Sequence, residues 1–371
     1  METKLKLISK HVTENNDIKL TSIVHLINET SLKQAFHEIP KNRAVGNDDV
    51  TAEEYGNDLD YNIAKLVKRM KEGNYYPQPS KRVYIDKGNG KKRPLGLPSF
   101  EDKIVDRTMA KILNAIYEPL FLDCSYGFRP NRNAHQALKD LNDSINFKNV
   151  NYIIDADIKG FFDNVNKSKL KEMISHTIID KNFNKLVSRF LQAGIVENGK
   201  HNKLDLGVPQ GGVSSPIYAN VYLHYVLDLW FEKAVKKQMS GYVKLIRYCD
   251  DFLILAETME DTRVIMSALK KRLLKFDLEL SYEKTKVIEL KRGNDFKGVN
   301  GPRTFDFLGF THYETKTRNG KFRIGRKTIG KRMSKKLKDM NNWLRSIRNT
   351  VELKDIWKSI NRRITGYFQY Y

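Results

Sequence analysis

Two short apolar runs, residues 242–248 and 252–255, flank the adjacent acids Asp250 and Asp251. Runs of that length, rich in β-branched, aromatic and leucine side chains, predict two strands of a buried hairpin with the acids near its turn. A further strand is predicted at 152–158, where Asp155 and Asp157 alternate with apolar residues and so share one face. Helical spacing of apolar positions predicts helices over 1–40, 63–70, 102–121, 135–141, 170–191 and 264–276. A longer helix is expected from Ser214 and Ser215, either of whose hydroxyls could cap it, to about Trp230. Residues 81–85 and 91–98 read as a hairpin around Lys87-Gly88-Asn89-Gly90, and 278–281, 283–288 and 304–310 as a sheet-rich region. Farther on, Met333, Leu337, Met340, Leu344 and Ile347 step by four and three, which predicts a helix with one apolar stripe.

Composition adds a size and a charge. A chain of 371 residues, 40 % of them hydrophobic, suits two or three subdomains around a continuous core. Its 66 Lys+Arg against 44 Asp+Glu leave a net charge of +22, which predicts a polyanionic partner. Nucleic acid fits better than membrane, because no lipidation signal, amphipathic anchor or run of ~18 apolar residues is visible. Residues 311–371 hold 17 Lys+Arg against 4 Asp+Glu, so +13 of the +22 lies there. Lys331, Lys335, Lys336, Lys338, Arg345 and Arg348 surround the apolar stripe, and like charges at helical spacing repel. That crowding favours nucleic-acid contact over simple solvation. Cys124 and Cys249 form no CxxC pattern, so neither a zinc site nor a disulfide framework is expected; a reducing, cytoplasmic setting fits.

The chemistry begins with the carboxylates. Asp250 and Asp251 repel each other beside apolar strands, and a divalent cation is the natural compensation, although a polar turn explains the pair equally well. The hairpin bearing Lys81, Arg82, Lys87 and Arg93 reads either as a solvated basic edge or as a clamp for phosphates. Arg129 and Arg132, in a loop rich in Gly and Pro, could contact a phosphate backbone or cap carbonyls. Gly211 and Gly212 mark a turn or a close approach to a ligand, with Gln210 as a neutral hydrogen-bonding neighbour. Acids on separated strands, a basic hairpin and a basic helix together fit a nucleotidyl transferase with two divalent ions roughly 3.5–4 Å apart.

From about residue 31 onward the chain resembles the reverse transcriptases encoded by bacterial group II introns. The resemblance is carried by Arg93-Pro94-Leu95-Gly96-Leu97-Pro98, Tyr126-Gly127-Phe128-Arg129-Pro130-Asn131-Arg132, Asp157-Ile158-Lys159-Gly160-Phe161-Phe162-Asp163, Pro209-Gln210-Gly211-Gly212, Tyr248-Cys249-Asp250-Asp251 and Phe307-Leu308-Gly309-Phe310, in family order. It implies an α+β right-hand polymerase with helical and β-hairpin fingers, an antiparallel-sheet palm and a basic helical thumb. The corresponding division is 1–75 as an N-terminal extension, 76–310 as fingers and palm, and 311–371 as thumb. It implies Asp157, Asp250, Asp251 and the carbonyl of Ile158 as ligands of two Mg²⁺ ions, with Mn²⁺ able to substitute. Phe162 falls where an aromatic ring excludes a 2′-hydroxyl, Gln210 lies beside the nucleotide, and Lys81 and Lys87, with Arg82 and Arg93, match phosphate-holding positions. The implied partners are an RNA template, a DNA primer, dNTPs and an intron or other structured RNA.

The sequence also departs from the pattern. Cys249 stands where the family usually has Ala, and Ala44-Val45-Gly46-Asn47-Asp48-Asp49-Val50 replaces a Pro-Gly-Ile-Asp-Gly pattern. The family's thumb is expected to be shortened here, with no DNA-binding or endonuclease segment. A splicing cofactor, or a domesticated enzyme of phage defence or a CRISPR-linked system, are the alternative expectations.

Overall fold

A computed structural model describes residues 1–86, 92–292 and 303–371. Lys87, expected to hold phosphate, lies outside the described residues. The N-terminal part is built from α1 (Glu2–Glu14), α2 (Glu29–Glu38), α3 (Ala52–Asn57) and α4 (Leu59–Lys71). Capping boxes start two of them: Asn28 with Ser31 opens α2, and Thr51 with Glu54 opens α3. The helix expected throughout 1–40 is interrupted after Glu14. Leu20 pairs with Ile178, and the Ile23 and Val24 N–H groups donate to the Asp180 carboxylate at 2.7 and 2.9 Å. Tertiary acceptors thus replace the helical ones, and only Val24–Leu26 coil, as one 3₁₀ turn.

The basic hairpin is β1 (Ser80–Asp86) against β2 (Lys92–Leu97), registered with Ile85 opposite Arg93 and Lys81 opposite Leu97. Next come α5 (Phe100–Tyr117), α6 (Ala134–Phe147), β3 (Tyr152–Asp157), α7 (Phe161–Asn164), α8 (Lys167–Ser175) and α9 (Lys181–Gln192). The single helix expected over 170–191 is therefore two, because Asp180 leaves the helix to cap α9, accepting from Asn182 and Phe183 N–H. β4 (Ile195–Glu197) and β5 (Lys200–Asn202) extend the hairpin sheet in the order β2-β1-β4-β5.

α10 (Ser215–Leu223) continues through π-type turns at His224–Asp228 and Phe231–Val235. Its expected hydroxyl cap is absent: the Ser214 hydroxyl bonds the buried Asp106 of α5 instead. β6 (Val243–Tyr248), β7 (Asp251–Ala256), α11 (Met259–Lys275) and β8 (Lys286–Glu289) follow. β6, β7, β3 and β8 form one antiparallel sheet in that order. Both its faces are buried. Ile154, Ala156, Leu245, Phe252 and Ile254 join the larger core with α5, α10 and α11, while Ile153, Ile246, Leu253 and Leu255 pack on α6 and the last sheet. Burial on two sides is why residues 252–255 read as a continuous apolar run rather than an alternating one.

The last sheet is β9 (Thr304–Phe307), β10 (Phe310–Lys316) and β11 (Phe322–Thr328), followed by α12 (Gly330–Ile347) and α13 (Leu353–Tyr370). The helical reading of 311–371 thus needs correction before Gly330: Phe305, Phe307, Phe310 and Ile324 put residues 310–328 into a strand pair that covers the second core. α12 buries none of its residues, and Leu337 of its stripe is 57 % exposed. It is joined to α13 by Arg363 stacked over Trp343 and by Tyr367 reaching Met333. Among the described residues, no helix is long and apolar enough to cross a membrane.

Candidate active site

β6 and β7 are joined by a two-residue turn, Cys249-Asp250, because Tyr248 pairs directly with Asp251. Cys249 takes a left-handed φ of 59°, a conformation that the first central position of a type II′ turn requires and that glycine usually fills. On the neighbouring strand Asp157 lies directly opposite Asp251. Like charges at opposed positions of a ladder are unfavourable, so the pairing favours a cation beside it. The Lys284 ammonium supplies part of the compensation, donating to Asp157 Oδ2 at 2.9 Å.

The carboxylates feel one another. Burial, then the charges of Asp155, Asp250 and Asp157, push Asp251 up to about 7 although its side chain still meets solvent. Burial, and then Asp157, raise Asp250, against Arg93 and Lys284. Asp155, one strand step behind, is pushed up to about 6 by burial and by Asp157 and Asp306, with Lys286 opposing. Among the described residues no closed cage of three or more acidic, His or Cys ligands is assembled. The residues nonetheless fit a hard divalent ion: all donors are oxygens, their mutual repulsion is relieved only in part by Lys284 and Arg93, and Mg²⁺ is usually held by one or two carboxylates plus substrate phosphates.

Asp157, Asp250 and Asp251 open into a cleft of about 630 Å³ lined also by Arg93, Leu95, Ile158, Phe162, Gln210, Gly211 and Lys284. Phe162 is half-buried, its ring set edge-on to Phe161, while its carbonyl accepts from Val208 N–H at 2.9 Å. Gln210 donates to Asp163 Oδ1 at 3.1 Å, and its carbonyl accepts from Gly96 N–H at 2.6 Å. Gly211 must be glycine: φ is +121°, and a Cβ there would strike the Gly96 carbonyl.

Period two divides the basic hairpin. Lys81, Val83 and Ile85 share a face with Arg93, Leu95 and Leu97, the face that meets the cleft, yet Lys81 itself pairs with Asp49 at 2.9 Å outside the cleft's lining. Arg82 falls on the opposite face with Tyr84 and Pro94, lining a separate cavity of about 410 Å³ rather than the cleft of the acids. Arg129 takes the second of its two readings, the capping of carbonyls. Its guanidinium is buried, bonding Glu118 and the carbonyls of Phe121, Leu122 and Ser125, so its donors face inward rather than to a partner. Arg132 pairs with exposed Asp123 and stacks over Tyr126. Lys331, Lys335, Lys336, Lys338, Arg345 and Arg348 are all exposed on α12 and the residue that ends it.

Sequence reading did not single out Lys284 for the site. Nor did it find Arg247, a cation with no exposed surface, separated from the hairpin turn only by Tyr248. A charged residue inside an otherwise apolar strand is the signal that could have found it.

Residues 85–312 match the family described as reverse transcriptase (RNA-dependent DNA polymerase). The chain is 32 % identical over 355 residues to the group II intron-encoded protein LtrA of Lactococcus lactis subsp. cremoris, a match covering 80 % of this chain and 59 % of LtrA. It is 31 % identical over 293 residues to protein YkfC of Escherichia coli K12, covering 70 % of this chain and 73 % of YkfC. A 91 kDa protein in the cob intron of Schizosaccharomyces pombe is 40 % identical over 170 residues, 46 % of this chain and 21 % of that protein.

Proposed function

Because the chain belongs to the reverse transcriptase family, in its group II intron-encoded branch, we propose that it extends a DNA primer with dNTPs on an RNA template. The observation that carries this reading is the facing pair Asp157 and Asp251 beside the Asp250 turn, opening into a cleft with Phe162, Gln210 and Arg93. Asp157, Asp250 and Asp251, with the Ile158 carbonyl, would hold two Mg²⁺ ions, which when bound supply Lewis acidity at the primer hydroxyl and neutralise the leaving pyrophosphate. The chain's own residues do the positioning that phosphoryl transfer chiefly demands. Arg93 and Lys284 bring positive charge to the triphosphate, Gln210 borders the nucleotide, and the Phe162 ring closes the space a 2′-hydroxyl would need. In this reading 76–310 are fingers and palm, the first 75 residues an N-terminal extension, and the exposed basic helices from Gly330 the thumb that tracks the duplex.

Primer extension on RNA with dNTPs tests the proposal. Asp250→Asn should lower the rate on the order of a hundredfold or more, with RNA affinity changed less than about twofold. A fully active variant would refute it. The relatives' intron-encoded names and the cationic α12 also favour binding of a structured intron RNA as a second role, which a splicing assay with that RNA would read.

A further inference from the structure

The interior behind the catalytic turn is polar, and its centre is Arg247. All five N–H donors of this fully buried guanidinium are used. Nε and Nη2 grip both carboxylate oxygens of Asp228 at 2.7 and 2.6 Å, and Nη2 also donates to Ser125 Oγ at 2.7 Å. Nη1 donates to Asn220 Oδ1 and to the Cys249 carbonyl, each at 3.0 Å. Asn220 in turn donates from Nδ2 to the Gly127 carbonyl at 2.8 Å. Gly127 lies so close beneath the turn that a Cβ would collide with Cys249 Sγ and N. The Arg247 backbone completes the lock, donating to the Cys124 carbonyl and accepting from Tyr126 N–H.

An ion pair kept only for stability would end at Asp228. Here one donor is spent on the carbonyl of Cys249, the peptide group that leads directly into Asp250, at a residue held in left-handed geometry. Asn220 ties the same guanidinium to the glycine on which that turn rests. We propose that Arg247, Asn220 and Asp228 are positioning residues that fix the Cys249-Asp250 peptide and thereby aim the Asp250 carboxylate at a divalent ion shared with Asp157. The inference rests on the polymerase reading for the use of that ion, but the aiming itself belongs to the free chain.

Asn220→Ala removes one acceptor of Arg247 and the donor to Gly127 while sparing the Asp228 pair. Primer extension should then lose about tenfold or more in kcat, with dNTP KM and template-primer affinity within about twofold, as is typical when support behind a ligand is lost. Mn²⁺ titration of the free protein, followed by electron paramagnetic resonance, should shift about fivefold or more to higher concentration. Ile145→Val, a core truncation on the buried face of α6, serves as a stability control that lowers Tm without moving kcat or the Mn²⁺ midpoint. Asn220→Ala with a lowered Tm but unchanged kcat and midpoint overturns the proposal. If Asn220→Ala does not fold, Ser125→Ala, which removes a single acceptor, carries the same test with a shift of about threefold, and no shift overturns it. A wild-type chain that fails to extend primers, yet whose Mn²⁺ midpoint moves in these variants, sinks the polymerase reading and sustains the positioning one.

Discussion

Phe162 and Arg129 show how differently two residues of shared motifs act. Phe162 stands in the cleft beside Asp157 and Gln210, so its effect should be on substrate choice. Phe162→Val is expected to raise the ribonucleotide-to-deoxynucleotide ratio of kcat/KM by about 10–100-fold, the range a pocket contact gives, read from parallel extension with NTPs and dNTPs. Unchanged discrimination would remove Phe162 from that role. Arg129 is turned inward on Glu118 and three carbonyls, so its effect should be on stability. Arg129→Ala strands those buried groups and should cost about 3 kcal/mol in denaturant unfolding, with RNA affinity of the folded protein unchanged. A variant of normal stability and weakened RNA binding would reverse that assignment.

At the scale of elements, Asp180 joins pieces far apart in sequence. It caps α9 and also accepts from Ile23 and Val24 N–H, fastening the N-terminal segment to the helix that follows α8. Burial pushes its carboxyl up, but the four backbone N–H donors outweigh it and the net shift is downward. A lowered folded value means that the stabilisation is fully present above the ordinary carboxylate range and is lost as pH falls through the lowered value. Asp180→Ala should therefore cost about 2–4 kcal/mol at neutral pH, cap and stranded donors together. That difference from the wild type should shrink in strongly acid solution as its charge-dependent part is lost, as urea titrations across pH would show; a gap independent of pH contradicts the charge-based account.

Over the whole molecule the charge is asymmetric, and α12 presents its cations to solvent without burying a residue. Such a surface binds phosphates by releasing counterions. With about six phosphate contacts, affinity for an RNA–DNA hybrid should fall roughly a thousandfold between about 50 and 200 mM salt. Replacing Arg345 and Arg348 by Ala should lower the slope of log affinity against log salt by about two, without a sequence preference and without a change in Tm. A salt slope unaffected by those substitutions would place the nucleic acid elsewhere.

What the chain determined by itself was local. Apolar period and run length were enough for the β6–β7 hairpin, the strand of Asp157, most helices and the stripe of α12, because those signals act between near neighbours. The ordered motifs were enough for the family and for the acids of the cleft. Tertiary structure decided the rest, since it depended on partners distant in sequence. Lys284 reaches Asp157 across 127 residues, and Arg247 reaches Ser125 across 122. Arg82 and Arg93 were separated only once the register placed Ile85 opposite Arg93, and the strands 310–328 were hidden because their basic outer positions mask the residues that face the second core. Apart from the motifs, the Asp250-Asp251 pair was legible only as an acidic turn; that Asp251 faces Asp157 while Asp250 sits in a turn anchored by a buried arginine is a fact of packing.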